Sequence, residues 1–113
     1  MNYTGKAQLT IVIDSPDELE AEGDRIFNMH AAWMEKSHYR EGEKALLQYN
    51  VAKSPGSDGN VIYVLTEVYE TVAGIDDHIE QAQGDAHHDA LSKWMEQSNV
   101  TFIRDAEIIH SLW

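Results

Sequence analysis

The chain has 113 residues, 42% apolar and 25% charged, the size and composition of one globular domain, which excludes wholesale disorder and fibrous repeats. Eight Lys and Arg stand against 20 Asp and Glu, a formal charge of −12, so nucleic acid and anionic membrane surfaces are not expected partners. There is no Cys, which removes disulfides, thiolate nucleophiles and Cys-ligated metals, and no apolar run approaches the ~18 residues of a membrane span, so a cytoplasmic location is expected.

Residues 7–14 alternate Leu9, Ile11 and Ile13 with Gln8 and Thr10, the period of a strand. Ser15-Pro16-Asp17-Glu18 carries the signs of a helix start, with Ser15 as cap and Glu18 closing a capping box. The helix is expected to run to about His38, its apolar stripe formed by Leu19, Gly23, Ile26, His30 and Trp33. A second strand is expected over residues 45–53, a turn-rich loop over 54–60, and a third strand from Val61 to Tyr69. The third strand is apolar on both faces, so both faces need cover. Helix resumes near Val72, breaks at Gly84, and restarts with Asp85 as cap. Residues 100–113 read as one long or two short strands, with Phe102, Ala106, Ile108 and Leu112 alternating with polar neighbours. The order is β-α-β-β-α-β, an α+β, ferredoxin-like split βαβ fold with a four-stranded antiparallel sheet and its helices on one face. The simplest cover for the open face is a second copy, giving a homodimer.

At Glu67-Val68-Tyr69-Glu70-Thr71 the chain resembles the antibiotic biosynthesis monooxygenase (ABM-like) family of the dimeric α+β barrel superfamily. The matching positions are Glu67, Tyr69, Thr71, Ile75 and His78, and the resemblance in element order runs over residues 7–113. It implies one ABM-like dimeric barrel domain over residues 1–113, with a small-molecule pocket between sheet and helices in each subunit. It also implies a cofactor-independent monooxygenase acting on a small electron-rich aromatic, a quinol or phenolic compound. The alternatives are a noncatalytic small-molecule-binding or stress-related dimer, and a lyase or isomerase on the same scaffold. No cofactor and no metal are expected.

Six histidines is a high count for a chain of this length. His78, at the family position, is the first candidate base and His30 the second, because burial and a partner can tune imidazole across neutral pH. Both positions also suit hydrogen-bonded structural histidines. Trp33, Tyr69, Glu67, His87 and Trp94 are candidate pocket walls; each has an equally simple reading as packing, and Glu67 as a buried hydrogen-bonded or ion-paired carboxylate. His38 falls at a helix C-terminus, where partial positive charge is favourable. Asp85-x-His87-His88-Asp89 has metal-binding residue types, but neighbouring side chains on a helix diverge by ~100°, which argues against a shared ion.

Overall fold

The computed structural model describes residues 2–113. Strand β1 spans Ala7–Ser15, helix α1 Glu20–Ser37, β2 Leu46–Pro55, β3 Val61–Tyr69, α2 Val72–Ala82, α3 Ala86–Met95 and β4 Asn99–Glu107. The strands form one antiparallel sheet in the order β2-β3-β1-β4, the ferredoxin-like arrangement, with the predicted helix after β3 split in two. Among the described residues no helix is long and apolar enough to cross a membrane.

The period of two decides which side chains meet the helices. In β1 the positions Ala7, Leu9, Ile11, Ile13 and Ser15 are buried and those between them are half-buried. In β3 the helix side carries Val61, Tyr63, Leu65, Glu67 and Tyr69, paired in register with β1. The core closes over them with Ile26, Phe27, Ile75, Leu91 and Trp94 from the helices. Two glycines let the helices approach closely. A Cβ on Gly23 would stand 2.5 Å from Trp94, and one on Gly74 would stand 2.6 Å from the Tyr69 ring.

The local signals hold in part. Asp85 caps α3, accepting from the backbone N–H groups of His87 and His88 at 3.1 and 3.3 Å. Thr71 caps α2 through the N–H of Ala73 at 3.1 Å. The capping box at Ser15 does not form. Ser15 stays in β1, a 3-10 turn occupies Asp17–Leu19, and α1 begins at Glu20 without a side-chain cap. The strand takes Ser15 because it pairs with Val61 across the sheet. In β4, Ile103 pairs with Thr10 but Ala106 with Gln8, so a bulge adds one residue and puts Phe102 and Ala106 on opposite faces. The expected uniform alternation through residue 112 is corrected accordingly, and the strand ends at Glu107.

Candidate functional site

Five of the six histidines gather where α1, the C-terminal half of α2 and the first turn of α3 meet above the sheet. His30 sits on the inner face of α1, 1% exposed, and His38 is the residue that ends that helix. His78 comes from α2, while His87 and His88 come from the first turn of α3. The rings pack edge to face: His30 to His88 is 5.2 Å between ring centres, His78 to His88 5.9 Å and His30 to His78 6.0 Å. Trp33 lies over the group, 4.5 Å from the His88 ring and 5.7 Å from that of His78.

Each ring is held on one side by a specific partner. Nδ1 of His30 is 2.7 Å from the hydroxyl of Tyr49, on β2. Nδ1 of His78 is 3.0 Å from Nε2 of His38, whose own Nδ1 is 2.9 Å from Ser37 Oγ. The Ser37 hydroxyl donates to the carbonyl of Trp33 at 2.7 Å. Nδ1 of His88 is 3.3 Å from Asp85 Oδ2, and Nδ1 of His87 lies against the same oxygen. Beneath this layer is Glu67, fully buried, with Oε1 accepting from the Tyr69 hydroxyl at 2.6 Å and lying 3.8 Å from His78 Nε2. Its second oxygen has no partner, nor do the Nε2 atoms of His87 and His88.

Burial sets the proton affinities. It holds His30 and His78 down to about 3, reinforced by the neighbouring imidazoles, and it lowers His38 and His88 as well. It pushes Glu67 up to about 7 against the pull of the Tyr69 hydrogen bond. Burial likewise raises the hydroxyls of Tyr49 and Tyr69. At neutral pH His30, His38, His78 and His88 are therefore uncharged, and the group tuned to exchange a proton there is the Glu67 carboxyl.

A cavity of about 330 Å³ opens beside the cluster, between the sheet and helices α2 and α3. Leu9, Ile11 and Leu65 form its floor, Phe102 and Met95 its side, and His30, His78 and His88 its polar edge. A second hollow of about 300 Å³ lies between α1 and β2 and meets the cluster only at His38.

Of the residues singled out from sequence, His30 and His78 face the cavity, and Glu67, Tyr69, Trp33 and His87 surround the histidines without lining it. Trp94 is corrected from wall to core. It is 2% exposed, packs edge-on against Phe27 and Tyr63, and donates Nε1–H to the Leu19 carbonyl at 3.0 Å. Its sequence stripe with His87 is real, but α3 is long enough for the two ends of one stripe to rest on different neighbours. His38, assigned to a helix C-terminus, is buried against His78; nothing in the thirty-nine intervening residues announces that contact. His88 escaped as a site residue because its divergence from His87 was counted against a shared partner, whereas both rings turn back onto the Asp85 cap.

Neither a family model nor a curated protein sequence matches the chain. Among solved structures, a Caulobacter crescentus protein provisionally described as an antibiotic biosynthesis monooxygenase is similar, with 17% identity, 94% of each chain covered and a TM-score of 0.60. The Pseudomonas aeruginosa protein PA3566 matches at 16% identity, over 95% of this chain and 97% of its own, with a TM-score of 0.59. The chain has the ABM-like fold. The match runs nearly end to end, so the fold is shared over almost the whole of each chain.

Proposed function

We propose that the protein binds a small electron-rich aromatic, a quinol or phenol, in the cavity between sheet and helices and promotes its oxidation by molecular oxygen. The observation that carries this reading is the cavity itself: an apolar slot of about 330 Å³, within the range of small-molecule sites, with imidazole nitrogens along one edge. The similarity to a protein described as an antibiotic biosynthesis monooxygenase supports the reaction class.

The chemistry asks little of the protein. A phenolate gives up electrons to oxygen far more readily than a phenol, so removing one proton in a dry site prepares the substrate. One oxygen atom then becomes a carbonyl on the substrate carbon, and the other leaves as water with the two displaced hydrogens. His78 stands between the cavity and Glu67, 3.8 Å from the carboxylate, so a substrate proton taken at the cavity edge has a carboxyl tuned near neutrality behind it. Sequence reasoning made His78 and His30 the bases; their low proton affinity shifts that role toward Glu67, with the imidazoles as the contact to substrate.

We further propose that the protein works as a homodimer, built from residues 1–113 as one unit. The sheet face away from the helices carries Val12, Ile62, Val64 and, more than half exposed, Ile103, with no helix of this chain over it.

The test is oxygen uptake with a panel of quinols and phenols, run with EDTA and again with added metal. Saturable uptake that Ala82→Phe abolishes by filling the cavity, with circular dichroism unchanged, is the expected result. Binding without uptake in either condition leaves the noncatalytic alternative, and neither binding nor uptake overturns the reading altogether.

A further inference from the structure

We propose that His30, His78 and His88 bind one divalent transition-metal ion through their Nε2 atoms, leaving a further coordination position open to the cavity. The site goes beyond the oxidation proposed above and does not depend on which substrate enters.

The first argument is convergence. One ring nitrogen from each of the three histidines lies within 4.8 Å of the others, and the three residues come from three different helices. An ion bound by two imidazoles at ~2.1 Å and a tetrahedral angle of ~109° sets their ring centres about 5 Å apart. The observed separations of 5.2, 5.9 and 6.0 Å approach that spacing on all three sides, and nitrogens within 4.8 Å of one another reach the ~3.4 Å of a tetrahedral site when each ring moves inward by about 1 Å.

The second argument follows the protons. The Ser37 hydroxyl donates to a carbonyl, so its oxygen accepts from His38 Nδ1–H. A neutral His38 then has its lone pair on Nε2 and accepts from His78 Nδ1–H. That leaves the His78 lone pair on Nε2. Asp85 can only accept, so His88 also carries its proton on Nδ1 and its lone pair on Nε2, which is buried without a donor. His30 Nδ1 faces a hydroxyl that can accept or donate, so this ring can take the same tautomer. Two lone pairs are thus fixed beside each other, the third is available, and no protein donor satisfies them.

The third argument is the outer shell. Metal-binding imidazoles characteristically give their other N–H to a carboxylate, carbonyl or similar group that fixes the ring. Here Tyr49, His38 and Asp85 hold the three Nδ1 atoms. Three imidazoles with an open position suit zinc, iron, copper or nickel better than calcium or magnesium. Asp85, His87 and His88 also cluster, but there the Nδ1 atoms of both rings already rest on one carboxylate oxygen.

The experiment uses tag-free full-length protein stripped with EDTA, titrated with Zn²⁺ by calorimetry and with Co²⁺ by visible absorption. One ion per chain, intense Co²⁺ bands between about 500 and 650 nm typical of a four- or five-coordinate nitrogen site, and a metal-dependent rise in Tm are expected. His88→Ala, at the less buried ring, should weaken binding more than about 100-fold, and Tyr49→Phe about 10–100-fold, the range for an outer-shell partner. His87→Ala should leave affinity unchanged. Failure of the unaltered protein to bind either ion more tightly than about 100 µM overturns the proposal, a threshold that needs no variant to fold. So does binding that His87→Ala abolishes while His78→Ala, folded by circular dichroism, retains it. Metal binding without oxygen uptake would sink the oxygenase reading and leave the site standing; oxygen uptake by a protein that binds neither Zn²⁺ nor Co²⁺ would do the reverse.

Discussion

Gly23→Ala sets two known effects against each other. In the interior of α1 the added methyl improves helix propensity by about 1 kcal/mol. In the folded protein it would stand 2.5 Å from Trp94 Cζ2 and 2.9 Å from the Tyr63 hydroxyl, about 1 Å inside ordinary contact. Neither neighbour can yield freely. The indole is pinned by its hydrogen bond to Leu19 in the turn just before α1, and the Tyr63 hydroxyl donates to Asp24 of α1 at 2.7 Å, so neither ring is free to move off the glycine. Overpacking of this kind costs about 1–3 kcal/mol, and losing either hydrogen bond adds about 1 kcal/mol. Sterics should win, for a net destabilisation of about 1–2 kcal/mol, read as a fall of about 4–8 °C in Tm. Thermal unfolding followed by far-ultraviolet circular dichroism and Trp fluorescence measures it. His30 lies two turns along the same face of α1, so metal affinity should fall as well. A variant as stable as the parent, or more so, would mean that α1 does not rest on Trp94, and the placement of His30 would lose its foundation.

In EDTA, stability should fall as the pH drops from 6.5 to 4.5. His30 and His78, held near 3 in the fold against an ordinary 6.5, take up protons in this window only on unfolding, while Glu67, raised from 4.5 to about 7, is protonated only in the fold. The unfolded chain therefore binds a net one proton more, worth about 1.4 kcal/mol per pH unit, and His38 and His88 add to the same slope; urea midpoints that stay flat or rise on acidification would refute it. Tyr69→Phe removes the hydrogen bond that pulls the Glu67 carboxyl down, so the limb of the rate–pH profile set by Glu67 should move to higher pH, and an unmoved profile would take Glu67 out of the chemistry. Light scattering at micromolar concentration should give the mass of a dimer, and the dimer should loosen at very low salt because each chain carries −12; a monomer mass would overturn the pairing of open sheet faces.

Much of the frame was legible along the chain because it depends on neighbours in sequence. The alternation of Leu9, Ile11 and Ile13 marked β1, the bounds of β3 agree from Val61 to Tyr69, and Asp85 marked the restart of the helix after Gly84. The parity of β3 also placed Glu67 on the same face as Tyr63, Leu65 and Tyr69. Where a local signal met a long-range one, the long-range one prevailed: Ser15 pairs with Val61 across the sheet and does not cap, and the bulge in β4 moves Ala106 to the other face from Phe102. The site is different in kind. His78 and His30 stood out in the sequence as candidate bases, but His38 and His88 each read as an ordinary helix position, and periodicity reports only which face of its own helix a residue occupies. Their convergence depends on how three helices cross the sheet, and that crossing is set by close approaches, Gly23 on Trp94 and Gly74 on Tyr69, between residues far apart in the chain. The chain of hydrogen bonds that leaves a lone pair on His78 exists only after those helices dock, because His38, held by Ser37, meets His78 across forty residues of sequence, whereas Asp85 fixes the His88 ring locally at the start of α3.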